Sequence, residues 1–184
     1  MSTRAGYDVV EVLAIVEATL GTKPTSGEWQ NWMKPDRIDA KYQKDIYDKV
    51  GLGNQQATGF TVLKTWAEAT LESTLLAKKA ASPVYEWTDI YGYVVGDPYT
   101  GLAVTNGLDT FSLGAKYDIA TDEFLTMLGC MMQSADLKLE MGKPVTLSSS
   151  IIAQTLTHNT TDYVSGTATR EASIASQAPI LFSD

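Results

Sequence analysis

His158, in Leu156-Thr-His-Asn-Thr160, is the only histidine of the chain, and Cys130 is the only cysteine. A serine or cysteine nucleophile needs a base within hydrogen-bond reach, so His158 is the single candidate base, and nothing in the spacing brings Cys130 to it. A histidine flanked by hydroxyl and amide side chains reads more simply as a surface residue. One cysteine allows no intramolecular disulfide and no cysteine-based metal site, and one histidine removes histidine pairs as ligands. Asp122 and Glu123 are adjacent acids, better read as first-turn charges of a helix than as a glycosidase pair. Gly51-Leu-Gly-Asn-Gln-Gln56 begins like a dinucleotide-binding fingerprint and fails at Gln56, where the third glycine belongs. Asn159-Thr-Thr161 matches an N-glycosylation acceptor, a triplet that is frequent by chance, and no secretion signal precedes it. These residues assemble no catalytic set, no cofactor site and no metal site. The expectation is a protein that is not an enzyme.

The elements that would have to position such residues are strands. In Ser134–Leu156, Leu137, Leu139 and Met141 alternate with Asp136, Lys138 and Glu140, a period of two that a helix cannot use. After Gly142-Lys143-Pro144 the alternation resumes, with Val145, Leu147, Ile151 and Ala153 on one face and Thr146, Ser148, Ser150 and Gln154 on the other. Glycine in the turn and proline at the start of the second limb complete a β-hairpin in which each limb has one buried and one wet side. The wet side of its second limb carries hydroxyls and amides rather than a catalytic acid or base, which points to a scaffold that assembles.

Composition agrees. The chain has 184 residues, 44% hydrophobic and 20% charged, as expected of one domain spanning 1–184 with a substantial core. A net charge of −8 gives no basic stripe for phosphates. The first residues lack the basic-then-apolar pattern of a signal peptide, and no apolar run reaches about 18 residues, so no membrane partner is expected.

Along the chain, Val9–Leu20 is an apolar block that suits either an amphipathic helix or a buried strand. A polar stretch, 28–59, carries Trp29, Trp32, Tyr42 and Tyr47 among charges and reads as an assembly arm, with these four as candidate subunit contacts. Within it Asp39–Val50 suits a short helix. Phe60 opens a strand, while Ala67–Lys79 is helix material. Val84–Val95 sets Tyr85, Trp87, Tyr91 and Tyr93 on one strand face; such rings fill a core or an interface, or stack on sugars in a carbohydrate- or protein-binding β-sandwich of the adhesin or fibre type. Phe111–Tyr117 is a strand candidate, and Thr121 with Glu123 and Phe124 can start a helix. Residues 157–184, rich in Thr, Ser and Ala, read as a C-terminal arm. The sum is a mainly β, β-rich α+β fold: a sandwich or barrel of antiparallel strands, flanked by one or two short helices, with a long assembly arm.

The order of two segments carries a resemblance. Val16-Glu-Ala-Thr-Leu-Gly-Thr-Lys-Pro24 opens the chain, and Gly129-Cys-Met-Met-Gln-Ser-Ala-Asp-Leu-Lys-Leu-Glu-Met-Gly-Lys-Pro-Val145 leads into the aliphatic strand ending at Gln154. This resembles the tail tube proteins of tailed bacterial and archaeal viruses, over most of the chain and in order. The resemblance implies a β-sandwich flanked by a helix, a homo-oligomer of six copies per ring, and rings stacked into a tube that meets other tail proteins. It implies a virion tail location after assembly in the host cytoplasm, with viral DNA passing through the tube without specific binding. Thr146, Ser148, Ser150 and Gln154 are then the candidate lumen-lining residues.

Overall fold

The computed structural model describes residues 9–30, 35–50, 57–75, 110–117 and 122–171. These form strands β1 (Val9–Val16), β2 (Glu28–Trp29), β3 (Pro35–Val50), β4 (Ala57–Thr74), β5 (Phe111–Tyr117), β6 (Glu123–Lys138), β7 (Thr146–Ala153), β8 (Thr155–Asn159) and β9 (Thr169–Arg170). Seven of them make one antiparallel sheet in the order β1-β5-β6-β7-β4-β3, with β8 also paired to β6. The sheet curls until its two edge strands, β1 and β3, touch. Its concave side holds the main core, among them Leu71, Phe111, Leu113, Met127, Cys130, Leu147 and Ile151.

The curl has a local cause. The long strand β6 pairs with β8 along Phe124–Leu128 and with β7 along Met131–Lys138. Gly129 sits between the two stretches at φ 63°, a left-handed angle that glycine adopts without the penalty of a Cβ. Opposite it, β7 gives way to β8 at Gln154, whose N–H donates to Leu128 O at 3.0 Å. Both strands therefore turn one corner together, a standard way for a sheet to fold over itself.

Val12–Ile15 of β1, with β5 and the first half of β6, are covered on both faces. Val12 and Ala14 point to the main core, while Leu13 and Ile15 join Trp29, Phe124 and Tyr163 in a second cluster behind the sheet. Two-sided burial of Val12–Ile15 explains why this stretch shows neither helical nor strand period: all four positions are apolar. The segment after β8 closes over this second cluster. The Tyr163 ring lies on β5 where Gly114 has no side chain, and a Cβ there would come within 2.4 Å of the ring. Tyr163 O–H donates to the Glu11 carboxylate, and Arg170 binds Glu11 Oε1 at 3.0 Å and both Asp162 oxygens at 2.6 Å. Burial, then the hydrogen bond and charge of Glu11, push the Tyr163 hydroxyl well above its ordinary range. β2 and β9 form a two-stranded parallel clasp that holds this cover to β1, through the Ala14–Gln30 bridge.

Several expectations are corrected. Among the described residues there is no helix: Asp39–Val50 lies in β3, Ala67–Thr74 in β4, and Glu123 and Phe124 open β6, while Thr121 and 76–79 lie outside the described residues. Within the 28–59 arm, Pro35–Val50 is a strand paired along its length with β4. Ala67, Ala69, Leu71 and Leu75 take alternate inward positions on β4, so cross-strand packing overrides the helical preference of alanine.

Candidate assembly site

Three features of the folded chain bear on function: a buried junction, a hydroxyl-bearing outer face, and two hairpins that outrun the core. The junction is built on Glu17, which is 8% exposed. Its Oε1 accepts from Ser112 Oγ at 2.6 Å and from Gly129 N–H at 2.8 Å, and its Oε2 accepts from Gly21 N–H at 2.7 Å. One carboxylate thus ties the loop after β1 to the head of β5 and to the corner of β6. The Gln154 side chain lies over the same glycines, with its Cγ 2.9 Å from where a Gly129 Cβ would stand. Glu17, Gly21, Gly129 and Gln154 belong to the two motifs singled out in the sequence, and their meeting explains why both occur in one chain. The carboxylate itself escaped sequence reasoning; an acid inside an apolar run was the available signal. Cys130 lies beside it, wholly buried, and burial followed by the Glu17 charge pushes the thiol far above its usual range. A thiol so held is a poor nucleophile.

The outer face of the sheet runs across β4, β7 and β6. Thr70, Ser150 and Ser134 make one row, Glu72, Ser148 and Asp136 the next, and Thr74, Thr146 and Lys138 the third. Strict alternation in β7 puts Leu147, Ile151 and Ala153 inside and leaves Thr146, Ser148 and Ser150 half-buried outside. Three of the four candidate lining residues therefore share a face. Gln154 does not extend that row; it turns with the corner against Gly21 and Gly129. Arg37, Lys41 and Lys138 each stand beside a carboxylate, Asp39, Glu68 and Glu140, at 3.9, 3.4 and 2.6 Å.

Both protruding hairpins expose apolar side chains. Tyr42, Ile46 and Val62 on β3–β4 are 46, 50 and 42% exposed, and Leu137, Leu139 and Met141 on β6–β7 are 45, 50 and 68% exposed. The second set corrects the expectation of a buried side for that limb. Leu137 pairs with Leu147, which is in the core, so at this height only the β6 limb of the hairpin is left uncovered. At the β6–β7 tip Glu140 is held by Lys138 and Lys143, which bring its carboxyl down to about 2. A depressed carboxyl contributes stability above the unfolded value of about 4.3 and loses it as pH falls through the folded one. Wild type should therefore melt higher than Glu140→Gln at pH 6, the gap closing towards pH 2 and shrinking in salt. A pH-independent gap would show that the ion triad does not act.

Of the four residues expected at subunit contacts, Trp29 is instead a core residue of its own chain. It is 0% exposed, with its ring 5.0 Å from that of Tyr163, because the β2 clasp folds it under the cover. Tyr42 is exposed on β3. Tyr47 lies on β3 opposite Thr61, its side chain outside the described residues, as are Trp32 and the Tyr85, Trp87, Tyr91 and Tyr93 face. Of the C-terminal arm, Thr155–Asn159 is a strand and 160–171 the cover, and 172–184 lie outside the described residues. His158 is half-exposed, with Nδ1 3.6 Å from Glu123 and its ring 5.7 Å from Tyr117. Asp122 pairs with Lys116 at 3.0 Å and opens no helix.

These features define a mainly β scaffold with a hydroxyl-bearing sheet face and protruding hairpins. No protein-family model and no curated protein sequence matches the chain. Among solved structures it is similar to a chain of the tail of an empty gene transfer agent particle refined with C6 symmetry, at 10% identity and TM-score 0.44, covering 71% of this chain and 86% of that one. It is also similar to the tube-terminating cap of an anti-feeding prophage, at 9% identity and TM-score 0.48, covering 88% and 95%. A third is a sheath/tube terminator of an extracellular contractile injection system, at 9% identity and TM-score 0.48, covering 86% and 99%.

Proposed function

We propose that this chain is a structural tail tube subunit, whose copies form hexameric rings that stack into a conduit for viral DNA within a virion tail. The observation that carries the reading is the outer sheet face, three rows dominated by hydroxyls in which Arg37, Lys41 and Lys138 are already beside carboxylates. A surface that DNA slides along must not neutralise phosphates, since each such contact adds affinity and many rings would multiply it. Curled sheets with protruding hairpins join readily to copies of themselves. The Val16–Pro24 and Gly129–Gln154 motifs supply the resemblance to tail tube proteins, and both serve the corner on which the sheet turns. The role is structural rather than catalytic, and its other partners are further tail proteins.

Electron microscopy of purified protein tests the assembly: rings or tubes are expected, and strictly monomeric particles would overturn it. For the lining, Ser148→Lys with Ser150→Lys should leave assembly intact and give the tubes salt-sensitive DNA binding. Wild-type tubes should bind little DNA at physiological ionic strength. Tight retention of DNA by wild-type tubes would rule out the conduit.

A further inference from the structure

The outer face continues past its hydroxyl rows into a cluster centred on Glu68. Two residues before Thr70 on β4, and so on the same side of the strand, Glu68 lies between Lys41 of β3 and Ile152 of β7. Trp66 Nε1–H donates to Glu68 Oε1 at 2.9 Å, and the Gln43 amide nitrogen donates to Oε2 at 3.0 Å. Lys41 Nζ stands 3.4 Å from that same Oε2. The Lys64 ammonium lies 5.4 Å from the centre of the Trp66 ring, within reach of its negative face. One carboxylate therefore holds Lys41 directly, and Lys64 through an indole that it keeps in place. Hydrogen bonds from Trp66 and Gln43, and then Lys41, hold the Glu68 carboxyl below its ordinary range, so it is ionised at neutral pH.

We infer that Glu68 is the positioning residue that withdraws Lys41 and Lys64 from phosphates on this face. The inference rests on the tube reading and assigns control of DNA adhesion to one side chain. Stability does not account for the cluster. Exposed ion pairs add little to it, and the Lys41 and Glu68 side chains are 63% and 37% exposed. Local charge does account for it. A lysine is a point charge on a flexible stem, free to turn to any anion within reach. Two uncharged donors fix the Glu68 carboxylate, so Lys41 has an anion at hand whether or not DNA is present. Trp66, anchored by its N–H, offers Lys64 a ring face in the same way. Without Glu68 the strip beside Thr70 and Ser150 would present two ammonium groups freed of that carboxylate, repeated in every copy of a tube.

The test is Glu68→Gln, which keeps the shape of the side chain and removes its charge. Wild-type and variant tubes are titrated with a short fluorescent DNA duplex between about 50 and 200 mM salt. The variant is expected to bind DNA at least about tenfold more tightly at the low end and to lose that gain at the high end, as new phosphate contacts require. Adding Lys41→Ala and Lys64→Ala should return binding to the wild-type level, a rescue that a merely structural role would not show. Glu28→Gln, exposed on the β2 clasp, changes the net charge equally and should leave DNA binding as it is. Unchanged binding by Glu68→Gln tubes would overturn the inference. So would a gain that survives the loss of both lysines, or one that Glu28→Gln reproduces. Each of these results leaves the tube reading standing. Wild-type protein that forms no tubes would sink the tube reading, and the inference with it. Should Glu68→Gln fail to assemble, Glu68→Thr extends the hydroxyl rows and is read in the same titration.

Discussion

Replacing Ile151 by aspartate is expected to unfold the protein, while Ser148→Asp, three residues away on the same strand, is tolerated. Ile151 is 1% exposed and lies between Ala69 of β4 and Met132 of β6. A carboxylate there has no cation within the core, so the substitution costs about 5 kcal/mol or more, comparable to the whole stability of a small domain. Ser148 lies between Glu72 and Asp136 on the outer face, where a further acid meets like charge in water and costs about 0.5–1 kcal/mol. Thermal melts of the two variants decide the matter. The opposite ranking would mean that β7 is shifted by one residue, since a single slip exchanges its faces.

Glu17→Ala should be nearly as damaging, although no charge is introduced. It strands three donors at once: the Ser112 hydroxyl and the N–H groups of Gly21 and Gly129. Buried donors without partners cost about 1–3 kcal/mol each, so a loss of about 3–5 kcal/mol is expected after partial rescue by water. Glu17→Gln should lose about half as much. Its carbonyl can take the Oε1 position, which serves both Ser112 and Gly129, and only the Gly21 bond is forfeited. Denaturant unfolding of wild type and both variants reads this order directly. Equal stability of the alanine and glutamine variants would show that the carboxylate does not hold the corner.

How far the sequence could be read depended on how many faces each strand buries. β7 was legible residue by residue because one face is core and the other is wet, so Val145, Leu147, Ile151 and Ala153 stand apart from Thr146, Ser148 and Ser150. β1 and the Phe124–Met127 stretch of β6 were illegible for the opposite reason. Both their faces are covered, and continuous apolar runs suit a helix equally well. β3 failed from the other side, since beyond Ala40 its hairpin leaves the core and no face imposes a period. Ala67–Thr74 was misread because alanine favours helices in isolation, whereas here small side chains let β4 sit close against the core. The hydroxyl face needed only residue types. The junction at Glu17 needed distances between residues far apart in the chain, which no local pattern contains.

That remoteness governs when the protein can come into being. Glu17 is 95 residues from Ser112 and 112 from Gly129, and among the described residues β1 pairs along its length with β5. A ribosome that has released Glu17 must still translate 95 residues before Ser112 is there to meet it. High contact order of this kind makes folding slow compared with helical domains of equal size. It also means that a nascent chain lacks the corner on which the curl depends, and with it the relative placement of the two hairpins. A chain that stops short of Gly129 has neither.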